Sequence, residues 1–186
     1  MPRKPKELKY LQVAALIIAS IIYLGIRNFP AVDKPAQISA NESRAGLRYV
    51  TRVVDGDTIQ LSGGEKVRLI GVDTPEKYYG NKLLRDSKRS GKDIKTIQAL
   101  GTKASDWTKG LCLNKRVRLE YDVERHDRYG RTLAYVYLED GTFVNARIMS
   151  EGYGQIMTIP PNVKYASYFR KLERAARAGK RGLWEK

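Results

Sequence analysis

Two short segments, Asp55-Gly56-Asp57-Thr58 and Asp73-Thr74-Pro75-Glu76, put a set of carboxylates into a chain whose formal net charge is +15. Each segment lies at the end of an alternating apolar run, so strands paired as a meander would bring both turns to one end of a sheet. Carboxylates crowded together repel, and such a group needs a cation or raised pKa values. An all-oxygen ligand set favours a hard ion, Ca²⁺ or Mg²⁺, over zinc. Arg68 sits on the run leading into Asp73, and Arg131 closes the polar stretch 125–131. A guanidinium offers a planar fork of donors matched to phosphate oxygens. Together these are the parts for phosphodiester hydrolysis: an ion to neutralise phosphate, a carboxylate to position or deprotonate water, and arginines to stabilise developing negative charge. Singly, each motif has a structural reading, since Asp-Gly is a common turn dipeptide and Asp before Thr-Pro can initiate a turn. Their joint occurrence points to chemistry. His126 is the only histidine, which excludes nucleases built on two histidines or on a histidine-rich metal site.

The elements that must position these residues read as mainly β. Arg48–Val54 alternates as a strand, and Thr58–Leu61 and Lys66–Val72 flank the hairpin signal Ser62-Gly63-Gly64-Glu65. The basic stretch 77–97 reads as a long loop. Residues 98–112 place Ala104, Trp107 and Leu111 at helical spacing. Arg116–Tyr121 and Thr132–Leu138 alternate again, Phe143–Glu151 reads as a short helix, and Tyr165–Ala178 as a basic amphipathic helix with Leu183-Trp184 folding back as an apolar plug. Five short strands with an interposed helix fit a Greek-key barrel of the OB type. The predicted fold is therefore α+β and mainly β, a five-stranded OB barrel with about three helices over residues 47–186.

The positive charge is segmental. Residues 77–103 hold eight Lys/Arg against two acids, residues 162–186 hold eight against two, and residues 1–9 hold four against one. Such patches suit a polyanion, nucleic acid or an anionic lipid surface. A solvated surface is the plainer alternative. Residues 10–26 contain no charge and are dominated by Leu, Ile, Val and Ala. With the basic tail 1–9 before them, they are expected to form a single-pass transmembrane anchor with a cytoplasmic N-terminus. A cleaved signal segment is the competing reading. Residues 27–46 look like a linker, and the remainder is expected outside the cytoplasm, as a monomer. Cys112, the sole cysteine, lies in an apolar stretch and reads as a buried small hydrophobe.

The strings VVDGDTIQL, VRLIGVDTPE and HDRYGRTLAYVY, in this order, closely resemble the staphylococcal nuclease (thermonuclease) family. The resemblance runs from about Val50 to Trp184 and includes FVNARIMSEGYG and the final GLW. It implies a Ca²⁺-dependent endonuclease acting on DNA and RNA and leaving 3′-phosphate ends. By the same resemblance Asp57 and Asp73 match the calcium carboxylates, Thr74 the residue giving a backbone carbonyl ligand, and Glu76 the general base. Arg68 and Arg131 match the charge-stabilising arginines, and Arg128 and Tyr129 fall where the family contacts a substrate phosphate. Two departures stand out. The segment 77–100 is longer than in the founding member, and the stretch 158–162 lacks the tyrosines that line its nucleotide pocket. A catalytically silent nucleic-acid-binding barrel is the alternative function, and a peripheral protein whose helix Tyr165–Ala178 lies on anionic lipid is a more distant one.

Overall fold

Val50, Ile59, Leu61, Val67, Val117 and Val136 come from five strands, and each is fully buried. A period of two sends one face of every strand inward, and these residues lie on the inward face. The computed structural model describes residues 46–185. Within them run β1 (Arg48–Asp55), β2 (Thr58–Leu61), β3 (Lys66–Leu69), β4 (Gly71–Asp73), α1 (Asn81–Ser90), α2 (Ile94–Cys112), β5 (Arg116–Glu120), β6 (Thr132–Leu138), α3 (Val144–Ser150), β7 (Gln155–Met157) and α4 (Ala166–Ala178), followed by a 3-10 turn, Gly182–Trp184.

The barrel order is β1-β2-β3-β6-β5, closed by pairing of β5 with β1. Every barrel pair is antiparallel except β3 with β6, where Arg68 lies opposite Leu133. This closed five-stranded barrel with four α-helices is an α+β arrangement of the OB type. The anchor, the basic tail and the linker expected over residues 1–46 lie almost wholly outside the described residues. Among the described residues no helix is long and apolar enough to cross a membrane.

Three expectations are corrected. The run Lys66–Val72 is not one strand: it breaks at Ile70, and Gly71 takes φ +80°. A Cβ at Gly71 would stand 2.6 Å from the Phe169 ring, so only glycine lets α4 press against the break. The second half becomes β4, which leaves the barrel and pairs with β7 through Val72 and Ile156. Buried Asn145 ties the break to the barrel, donating from Nδ2 to Ile70 O at 2.9 Å while its Oδ1 accepts from Val136 N at 2.9 Å.

The stretch 77–97 is not a loop, and the helix count rises accordingly from about three to four. It holds α1 and the start of α2. Helix α2 begins four residues before the expected 98, because Asp93 caps it by accepting from Thr96 N at 3.0 Å. Helix α1 ends at Gly91, whose φ of +70° is the left-handed stop. Its apolar anchor Leu83 is fully buried, a contact that contributes roughly 1.5–3 kcal/mol. The Leu183-Trp184 plug forms as expected: Leu183 is buried, and the Arg177 guanidinium lies 3.9 Å from the Trp184 ring centroid.

Candidate active site

The turn between β1 and β2 and the exit from β4 meet at one rim of the barrel. Asp57 is the centre of this acid corner and is almost wholly buried. Its Oδ2 accepts from Thr74 N at 2.9 Å and from Thr74 Oγ1 at 3.1 Å, and its Oδ1 accepts from Thr58 Oγ1 at 3.1 Å. Thr74 packs so tightly over the turn that a Cβ on Gly56 would meet its side chain at 2.8 Å. The Asp-Gly-Asp spacing therefore needs glycine in the middle for closeness, not for an unusual backbone angle.

Arg68 comes up from β3 beneath these acids, only 7% exposed. Its Nη1 lies 3.0 Å from Asp57 Oδ1 and donates to Val72 O at 2.6 Å, while Nη2 donates to Asp73 Oδ1 at 3.3 Å. The guanidinium thus bridges both aspartates and pins the backbone where β4 departs. A further side chain, which sequence reasoning missed, completes the cluster. Lys82 of α1 places Nζ 2.8 Å from Asp73 Oδ1 and 3.0 Å from Glu76 Oε1, and donates to Thr74 O at 3.0 Å.

Charge states follow from this packing. Burial pushes the Asp55 carboxyl up to about 7, helped by the negative charge of Asp57. Burial would raise Asp57 as well, but Arg68 and Lys82 and the bonds it accepts outweigh that, and its carboxyl stays below the usual range. Asp57 is therefore the stronger acid of the pair, and Asp55 keeps its proton to higher pH. For Lys82, burial favours the neutral amine, yet Asp73, Asp57 and Glu76 reverse the balance and the ammonium is held more firmly than usual.

The remaining candidates lie on the β5–β6 loop. Asp127 organises it, accepting at Oδ1 from Tyr129 N and Arg131 N, each at 2.9 Å, and at Oδ2 from Arg131 Nε at 2.7 Å. Partial burial would raise the Asp127 carboxyl, but these donors and the charge of Arg131 hold it below the usual range. Arg128 donates to Tyr129 Oη at 2.7 Å, and Tyr129 is 68% exposed. The structure thus brings Asp57, Asp73, Thr74, Glu76 and Arg68 together. Arg131 stands apart, bonded to Asp127. Because Thr132 pairs with Val67 in the strand beside β3, Arg131 arrives level with the start of β3, two strand positions before Arg68.

Among the described residues no group of three His, Cys, Asp or Glu side chains stands at metal-holding spacing. Two cationic side chains, Arg68 and Lys82, lie between the acids instead. The donors nevertheless fit a hard cation by chemistry, because carboxylate oxygens of Asp73 and Glu76 and the Thr74 carbonyl already converge on one positive centre. The signal for Lys82 was the basic run following Glu76, which reads equally well as a solvated surface.

A closed OB-type barrel carrying an acidic rim, buried arginine and a phosphate-suited loop defines a class of nucleic-acid-processing domains. The profile of the family described as "Staphylococcal nuclease homologue" matches residues 66–186. The chain is 37% identical over 182 residues to the thermonuclease of Staphylococcus intermedius, covering 96% of this chain and 100% of that relative. It is 36% identical over 173 residues to the thermonuclease of Staphylococcus hyicus, covering 91% and 94% respectively. Endonuclease YncB of Bacillus subtilis (strain 168) is 35% identical over 153 residues, covering 80% of this chain and 66% of that protein. The chain belongs to the staphylococcal nuclease family, and its homology with thermonucleases and endonucleases supports a nuclease.

Proposed function

We propose that the chain is a calcium-dependent endonuclease that hydrolyses phosphodiester bonds of DNA and RNA, leaves 3′-phosphate ends, and is displayed outside the cytoplasmic membrane by residues 10–26. The observation that carries the catalytic part is the convergence of Asp73, Glu76 and the Thr74 carbonyl on one cation, with Asp57 and Arg68 directly behind them. Asp57, Asp73 and the Thr74 carbonyl would hold the ion, which when bound supplies charge neutralisation to the phosphate. Glu76 accepts the proton of the attacking water. Arg131 keeps Nε on Asp127, which leaves its terminal nitrogens to stabilise charge on the phosphate oxygens. Arg68, through Asp57 and Asp73, sets the spacing of the acids and presents positive charge from below. Arg128 and Tyr129, exposed at the loop tip, steady a neighbouring phosphate. The charge-free stretch 10–26 behind a basic tail supports membrane display.

The test is digestion of single-stranded DNA and of RNA by the purified full-length chain. Cleavage is expected with Ca²⁺ and none with chelator, and the fragments should accept a 5′-phosphate without prior phosphatase treatment. Activity indifferent to chelation would remove the metal assignment. Salt-dependent binding without cleavage under any divalent ion would instead favour the silent binding barrel. Fractionation of cells should place the chain with the membrane.

A further inference from the structure

Lys82 makes three polar contacts, and each is to an oxygen needed elsewhere. Asp73 Oδ1 and the Thr74 carbonyl are proposed ion ligands, and Glu76 Oε1 belongs to the proposed base. A calcium ion draws its oxygens to about 2.3–2.6 Å and takes six to eight of them. An ammonium already bonded at 2.8–3.0 Å to the same atoms leaves no room for it and adds like-charge repulsion. One cation or the other fits.

The helix that delivers Lys82 is lightly anchored. Exposed or half-exposed side chains make up most of α1, and among its described side chains Leu83 alone is fully buried. Gly80 and Gly91 bracket it, neither with any atom within 4 Å of a Cβ position. Undocking α1 exposes Leu83 and releases Lys82, while the barrel keeps every strand pair.

We propose that Lys82 is an internal competitor for the divalent ion: docked, it fills the cation position and ties down Glu76, and an ion enters only as Lys82 and α1 leave. The proposal rests on the metal reading above. It makes α1 the residue segment that sets the ion concentration at which the nuclease becomes competent, because apparent affinity equals intrinsic affinity scaled by the undocked fraction.

The experiment uses the full-length chain, with Ca²⁺ binding measured by calorimetry and amide exchange followed over residues 81–90. In the wild type, Ca²⁺ should speed exchange in this segment and chelator should restore protection, since the helix opens locally. Lys82→Met should bind Ca²⁺ at least about tenfold more tightly, as expected when a mostly docked competitor is removed, and its α1 exchange should no longer respond to Ca²⁺. Leu83→Ser, which weakens docking without altering charge, should also tighten Ca²⁺ binding. Unchanged or weaker affinity in Lys82→Met, or protection of residues 81–90 that ignores Ca²⁺, overturns the proposal. Asp73→Asn separates the two readings. If it abolishes Ca²⁺ binding while Lys82→Met changes nothing, competition fails and the metal site stands. If Ca²⁺ binding survives Asp73→Asn, the metal reading falls and the competition with it.

Discussion

The acid corner and the β5–β6 loop both carry candidate active-site side chains, and they are held in opposite ways. In the corner, Asp57, Arg68 and Thr74 are each less than 10% exposed and bond mainly to one another and to the backbone. In the loop, Arg128, Tyr129 and Arg131 reach into solvent from a frame that one carboxylate, Asp127, holds together. The corner joins chemistry to folding. The loop separates them, so its side chains can meet a mobile polyanion without exposing the core.

The sharpest way to break this contrast is Asp57→Ala. It strips a buried guanidinium of one partner and leaves Thr74 N unsatisfied. The expected loss is about 3 kcal/mol of stability, from the cost of an uncompensated buried charge, together with loss of activity. Urea unfolding measures the first, and a loss under about 1 kcal/mol would show that the corner is not a folding element. Glu76→Gln and Arg131→Ala come next. Each should lower the cleavage rate by at least about 100-fold, as loss of a preorganised charge partner does, while the unfolding midpoint moves little. If Arg131→Ala unfolds the protein, the loop is not separate from the fold.

Asp127→Ala tests the loop's frame. It frees two backbone amides and Arg131 together, and should reduce kcat/KM by roughly tenfold through misplacement of Arg131. Arg128→Ala should act mainly on substrate binding, raising KM a few-fold and flattening its salt dependence, as expected for one lost phosphate contact. The smallest effect is expected at Cys112, whose thiol burial pushes up to about 12. It should resist a thiol reagent in the native chain and react only after unfolding.

The barrel was legible because its strands alternate cleanly, and the acidic turns because Asp-Gly-Asp-Thr and Asp-Thr-Pro-Glu are conspicuous in a basic chain. Two features were not. The break after Leu69 hides inside the run Val67–Val72, apolar but for Arg68, and only the Phe169 ring, a distant residue, requires Gly71 to turn there. Helix α1 hides because only two of its ten residues, the adjacent Leu83 and Leu84, are apolar. Lys82 was lost with it, since a lysine in a basic run reads as solvated until its three partners are seen.

The excursion from Glu76 to Gly101 starts and finishes at the same spot: a Cβ on Gly101 would stand 2.6 Å from the Glu76 carbonyl carbon. Whatever lies between those two residues is a detour with touching ends. Its length can grow or shrink at little entropic cost, and the barrel need not register the change. Length can therefore change between these touching ends with the barrel intact, provided position 101 keeps no side chain, but a change that removes Lys82 also strips a cation from the acidic rim.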